Sequence, residues 1–371
     1  MHWFPERQGG LDRVYFELSR ALPQAGVTVA GLVTGSENVA IQTHSTIRAF
    51  APQKVSLPAR WRGMRAAFAE TVEEQNPDIV VSHFALYTLP LIDRLKERPF
   101  VIHFHGPWAD EGAVEGSSGL RHAAKRWVEN QVYRRAAAAI VLSRAFAEVL
   151  ATRYGYPREK IHVIPGGIDA PRFAVAATQD EARERLNLPG SRPTVVAVRR
   201  LVPRMGLENL IAAIDIVRRG IPDIALIIAG RGPLQAQLTQ QIKSLGLEKN
   251  ISLIGFISDE DLPFLYRAAD LSIVPSVALE GFGLIAAESL AAGTPCLVSP
   301  VGGLPEVVSA LSADLVLRSP AASDISDAIS ATLQGRKTLP DDASCRAYAA
   351  ENFDWKNIAS RVADMYRLAL R

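Results

Sequence analysis

Short apolar runs bounded by glycine, proline or serine recur along this chain, with helical patterns between them. Residues 27–33, 79–82, 100–104, 139–142 and 161–164 read as strands in the first half. Residues 194–198, 225–229, 251–254, 271–274, 296–299 and 313–317 do so in the second. Runs that are apolar throughout, rather than alternating, belong to strands buried on both faces. Strands of that kind separated by helices form parallel sheets, because each parallel neighbour needs a crossover connection. The rhythm restarts near Thr194, and 371 residues can bury two separate cores. The expected organisation is therefore α/β, with Rossmann-like domains over residues 1–172 and 173–353 and a helix over 354–371. Residues 178–193, containing Pro189 and Gly190, are the expected linker region. The last segment carries a helical stripe of Trp355, Ile358, Val362, Tyr366 and Ala369.

In such sheets ligands lie beyond the carboxyl ends of the strands. One strand end is unusually furnished. After the run 271–274, Pro275 and Ser276 stop the strand, and Glu280-Gly-Phe-Gly-Leu-Ile-Ala-Ala-Glu288 follows. Strand, glycine turn and helix together aim free N–H groups and a positive dipole end at an anion. Gly281 and Gly283 let main chain approach a phosphate, and the amides of Phe282, Gly283 and Leu284 are candidate donors. Glu280 and Glu288 repel phosphate, so they are expected to accept hydrogen bonds from sugar hydroxyls. A second strand end, 198–206, carries Arg199, Arg200 and Arg204, charges that repel one another unless an anion meets them.

These features resemble family 4 glycosyltransferases: two glutamates separated by seven residues, with Pro275-Ser276 before and Gly-Gly-Leu-Pro-Glu-Val-Val at 302–308 after. The resemblance implies the GT-B fold, two Rossmann-like domains with parallel sheets facing a central cleft, an acceptor-side N-terminal one and a nucleotide-sugar-binding C-terminal one, with the helix over 354–371 crossing back to the N-terminal domain. It also implies a retaining hexosyltransferase that draws on a nucleotide diphosphate sugar, with UDP favoured over GDP. The implied acceptor is a glycan or a lipid-linked glycan, in polysaccharide or glycolipid synthesis. By position in the motifs, Glu280 holds the sugar, Glu288 the ribose, and Arg200 the diphosphate. The family's lysine position is Met205, so Arg204 is expected to supply that cation, and Arg199 stands where the family has glycine. Gly230 and Gly232 match the loop bordering the nucleotide, and Ile257 lies where main chain meets the base. His105 matches the family's active-site histidine. His103 and His105 are expected to point to opposite faces, only one of them toward the ligand. Gly9 and Gly10 match a turn facing the donor phosphate or the acceptor, before an expected helix over 11–22. Met1 to Phe4 are a stub of the first strand, which reads as truncated, with the natural chain starting upstream.

With cations and helix amides available, no metal or other cofactor is expected. The Asp-x-Asp of Asp259 and Asp261 reads as a capping box begun by Ser258, not as a metal motif. The alternatives within the same fold are a sugar-nucleotide epimerase or hydrolase, and a non-catalytic sugar-nucleotide-binding relative.

A net charge of +2 gives no reason to expect a nucleic-acid partner. Residues 1–175 hold 21 Lys+Arg against 17 Asp+Glu. Two stretches there, 54–65 and 121–135, are basic and aromatic together and suggest peripheral contact with anionic lipid. Two cysteines make no disulfide framework, which fits a reducing cytosol, at the membrane's inner face if the lipid contact holds.

Overall fold

The computed structural model describes residues 1–7, 9–114, 119–188, 190 and 192–371. The chain divides into two compact units, Met1–Gly167 with Trp355–Arg371, and Ile168–Asp354. Pro189, half of the expected linker signal, lies outside the described residues. The rest of that stretch holds a helix, Gln179–Arg185. Thr178 and Glu181 cap it reciprocally, each side chain accepting from the other's main-chain N–H. The change of unit falls at 167/168, earlier than the expected 172/173.

The first unit holds two parallel sheets. One pairs β1 (Gly31–Thr34) with β2 (Ile47–Ala51). The other runs in the order β3 (Val80–Ser82), β4 (Phe100–Phe104), β5 (Ala138–Val141), β6 (Ile161–Val163). In β4 every residue is buried, as a strand covered on both faces requires. Helix α1 (Gly10–Ala21) buries Val14 and Leu18. The C-terminal helix Trp355–Ala369 packs beside it and buries Trp355, Ile358, Val362 and Tyr366, whereas Ala369 of the expected stripe is its last residue. Near the N-terminus the only strand-like pairing among the described residues is an isolated parallel bridge between His2 and Thr34.

The second unit holds one parallel sheet of β7 (Thr194–Val198), β8 (Ala225–Ala229), β9 (Ile251–Gly255), β10 (Leu271–Val274) and β11 (Cys296–Val298). Their spatial order is β11-β10-β7-β8-β9. Successive strands lie side by side from β7 to β9, then the chain returns to the other side of β7 for β10. The order therefore reverses between β7 and β10, and that crevice is where open α/β sheets bind ligands. The expected strand over 313–317 is absent. Ala313–Leu315 forms a single 3-10 turn, and only Val316 bridges Val298. Helix α2 (Leu207–Val217) follows β7, and α3 (Leu284–Ala291) follows β10.

Candidate active site

Both arginine and glutamate clusters sit at that reversal. Arg199 is the first residue after β7, and its N–H donates to Ala229 O at 2.8 Å, fixing where the side chain leaves the sheet. Ser276 and Glu280 come after β10. The Arg199 guanidinium donates to the Ser276 hydroxyl and to Glu280 Oε2. Ser276 in turn donates to the same carboxylate oxygen at 3.0 Å. Arg199 and Glu280 are nearly closed to water, with side chains 6% and 14% exposed. Burial pushes the Glu280 carboxyl up, but the Arg199 and Arg204 guanidiniums and the Ser276 hydroxyl outweigh it and hold it below its usual value. The repulsion expected among the three arginines is thus relieved from within: Glu280 is the anion that meets Arg199.

Arg204 does a different task. Its Nη1 donates to Leu279 O at 2.9 Å, and Val277 N–H donates to Arg204 O at 3.0 Å. It ties the 277–280 loop to the turn after β7, and Leu279 holds a positive φ of 50° within that loop. Met205 is buried in the apolar core of the unit, so this position presents no cation to a ligand. Arg200 is exposed.

The glycines explain how closely the segments approach. Gly230 ends β8 at φ +144°, and a Cβ there would fall 1.7 Å from Arg199 O. Gly283, at φ +93°, caps α3, and a Cβ would meet Leu304 at 2.4 Å. Leu284 opens that helix. Phe282 between them is buried against Phe353, rings 5.5 Å apart and edge-on, which fixes the turn. Gly281 and Ile257 are half-buried, and Gly232 lies against the main chain of Leu201. Glu288 is buried inside α3, with the Tyr266 hydroxyl 3.5 Å from its Oε2. Ser276, in the sequence a strand stop and part of the family's motif, is the member given no site role there.

In the first unit, Gly9 caps α1 and Gly10 opens it; the Asp12 carboxylate folds back to accept His2 N–H at 2.8 Å. His105 leaves the end of β4, its Nε2 3.1 Å from His83 Nδ1. His103 reaches Tyr366 Oη at 2.7 Å. The expected divergence of His103 and His105 is wrong. Residues two apart on a strand share a face, and these rings lie stacked, 6.0 Å between centroids. Burial lowers all three histidines, His105 to about 4, so each is neutral at neutral pH. His83, His103 and His105 are the one metal-ligand-like group among the described residues, their nitrogens within 4.8 Å of one another. Two hydrogen bonds already engage those nitrogens. Asp261 is held by Ser258 at 2.9 Å and by Arg185 at 2.9 Å, and the helix behind it starts at Leu262.

A buried carboxylate holds the main chain that follows His105. Glu129, fully buried in the helix Leu120–Tyr133, accepts Trp108 N–H at 2.9 Å and the Tyr154 hydroxyl at 2.9 Å. It anchors the chain three residues past His105. Burial, only partly offset by these hydrogen bonds, raises its carboxyl to about 7.

Several side chains of the basic stretches have partners within the chain, whereas Arg62, Arg121 and Trp127 are exposed. Arg60 donates to Tyr87 Oη and Gln53 O, Trp61 to Leu86 O, and Arg65 pairs with Asp93. Arg126 meets Asp110 and Arg153 O. Among the described residues no helix is long and apolar enough to cross a membrane.

A parallel sheet whose strand order reverses beside a buried Arg–Ser–Glu set and a glycine-capped helix defines the class, a nucleotide-binding α/β protein of two units. Residues 178–352 match the family model described as glycosyl transferases group 1, and residues 8–172 match that of glycosyltransferase family 4. The chain is 30% identical over 322 residues to a glycogen synthase of Mycobacterium tuberculosis, spanning 83% of this chain and 73% of the relative. It is 31% identical over 225 residues to the GDP-mannose-dependent alpha-(1-6)-phosphatidylinositol monomannoside mannosyltransferase of that bacterium, 58% of each chain. The match thus spans little more than half the length of that relative. Anabaena Alr3699/HepE in complex with UDP superimposes with a TM-score of 0.78 at 22% identity, covering 98% of this chain and 97% of that one. A sucrose-phosphate synthase from Thermosynechococcus elongatus does so at 0.77 and 24%, covering 97% and 93%. The fold is GT-B, and the chain belongs to the family 4 glycosyltransferases.

Proposed function

We propose that the protein moves a hexose from a nucleotide diphosphate sugar to a hydroxyl of a glycan or lipid-linked glycan, with retention at the anomeric carbon. The observation that carries this is the Arg199–Ser276–Glu280 set at the strand-order reversal. In the transfer the anomeric C–O bond to the diphosphate breaks, the acceptor oxygen forms the new bond, and the acceptor proton passes to the departing phosphate. The largest task is to stabilise charge growing on the diphosphate. Arg200 and the main-chain amides at Gly283 and Leu284 take that role, with no metal called upon. Arg199 fixes the Glu280 carboxylate, which keeps acceptor capacity for sugar hydroxyls. Glu288 serves the ribose, Gly230, Gly232 and Ile257 border the nucleotide, and His105, neutral, offers the sugar a hydrogen bond without adding charge.

The relatives' names support two donors: GDP-mannose for the mannosyltransferase, UDP for the Anabaena protein. A UDP-sugar remains the first choice and a GDP-sugar the second. Lipid docking through the basic stretches is not part of the proposal. The test is incubation with UDP- and GDP-hexoses in EDTA, with and without oligosaccharide acceptors, following nucleoside diphosphate release and the product's anomeric signal by NMR. Acceptor-dependent release with the donor's anomeric configuration kept is expected. Inversion, or release that needs no acceptor, overturns the reading. Activity lost in EDTA and restored by magnesium overturns its metal-free part.

A further inference from the structure

β3 and β4 lie side by side in parallel, with Val80 opposite Phe100, Val81 opposite Val101 and Ser82 opposite Ile102. One step past the end of β3, the same register sets His83 opposite His103. Neighbouring strands run about 4.8 Å apart, so side chains at opposed positions on one face meet. These two imidazoles stack, their centroids 4.2 Å apart and their planes 21° from parallel. His105, two residues on, shares that face and lies 5.3 Å and 22° from the His83 ring.

The stack is held from three sides. The Tyr366 hydroxyl of the C-terminal helix lies 2.7 Å from His103 Nε2. Tyr15 of α1 meets the His83 ring edge-on at 5.1 Å. His83 Nδ1 lies 3.1 Å from His105 Nε2, the one hydrogen bond to either ring among the described residues. Three near-parallel rings do not converge on a metal, because an imidazole lone pair lies in its own ring plane and these planes are separate. A hydrogen bond along the ring edges is what the arrangement allows. Burial lowers His83 and His105, so both are neutral, and a neutral imidazole has one donor nitrogen and one acceptor. Of the two facing nitrogens, one therefore donates and the other accepts. That bond decides which nitrogen of His105 carries its proton, and hence what Nδ1 offers, because the two ring nitrogens take opposite roles.

We propose that His83 is a positioning residue for sugar transfer: it holds His105 Nε2, fixes the tautomer of that ring and leaves Nδ1 to meet a hydroxyl of the donor sugar. His83 acts on the reaction through His105. The inference rests on the place given above to His105 at the sugar.

The test replaces His83 in three ways. His83→Asn puts an amide where Nδ1 stood, His83→Gln carries its amide to the place of Nε2, and His83→Phe keeps a ring in the stack without a nitrogen. Measured for each are Tm, calorimetric affinity for UDP and GDP, kcat and KM with the hexose donor that wild type uses, and the ring 15N shifts of His105. His83→Phe and His83→Gln are expected to lower kcat by at least about tenfold, as misplacing a group at the reacting sugar does. Their KM and nucleotide affinity should stay within about threefold of wild type, a difference under 1.4 kcal/mol. His83→Asn should recover most of the lost kcat. The 15N shifts should show one His105 tautomer in wild type and His83→Asn, and a mixture in the other two. Native kcat in His83→Phe, equal kcat in the Asn and Gln forms, or His105 shifts that none of the changes moves overturns the proposal. Should His83→Phe not fold, the comparison of Asn with Gln carries the test. Native transfer in His105→Ala removes His105 from the sugar and overturns the inference with it. If wild type transfers no hexose, the reaction proposed above fails by itself, and the His105 shifts alone decide whether His83 sets that ring.

Discussion

Glu280 and Arg199 are more tightly bound to each other than a glutamate at a sugar site and an arginine in a basic loop need be. Removing one leaves the other as a buried charge, which typically costs about 3–5 kcal/mol. Glu280→Ala is therefore expected to lower stability as well as abolish transfer, and Arg199→Met to do the same. The double change should cost less than the sum of the two, read as non-additivity in urea unfolding. Additive losses would mean that the pair contributes no coupling. Arg204→Ala should loosen the 277–280 loop and slow transfer, because Arg204 pins Leu279. Met205→Lys should destabilise, since it places an ammonium in the core of the second unit. A Met205→Lys protein with native Tm would contradict that placement. The glutamate spacing and the arginine loop were legible in the sequence because motif and strand end coincide. Their pairing was not, since no local pattern tells which of three arginines turns inward.

The helix Leu120–Tyr133 is read in the sequence as a basic surface, yet its structural centre is the buried Glu129. The Glu129 carboxyl titrates near 7 when folded and near the ordinary 4.5 when unfolded. Between those values the folded chain holds the extra proton, so this residue makes stability fall as pH rises from about 4.5 to 7. Glu129→Gln should flatten the Tm profile across that window and leave Tm above pH 7 equal or higher. A profile identical to wild type would remove Glu129 from this role. Strands with solid apolar runs, such as β4, β7, β8 and β10, were placed to the residue by their sequence. β2 was missed because Ile47-Arg-Ala-Phe-Ala51 carries an arginine and few β-branched residues. The run 313–317 has a strand's apolar pattern, though only Val316 finds a partner there, Val298. The helix at 179–185 announces itself only through the Thr178–Glu181 cap, which a search for linker residues passes over.

At the scale of the molecule, two alternating α/β segments were enough to foresee two Rossmann-like units, because parallel sheets demand that rhythm. The return of the C-terminal helix to the first unit rests on Trp355 packing against Gly167, where a Cβ would fall 2.3 Å from the indole. Spacing along the sequence gives no sign of that contact. In the proposed reaction the second unit binds a nucleoside diphosphate with Arg200 while Glu280 serves the sugar. Calorimetric titration of UDP and GDP into wild type, Arg200→Ala and Glu280→Gln tests it most directly. Loss of a charge-assisted contact worth about 1.5–3 kcal/mol should weaken binding roughly 10- to 150-fold in Arg200→Ala. Glu280→Gln, which keeps the side chain's shape, should bind within about threefold of wild type, a difference under 1.4 kcal/mol, yet transfer no sugar. Unchanged affinity in Arg200→Ala, or lost nucleotide affinity in a folded Glu280→Gln, would contradict it.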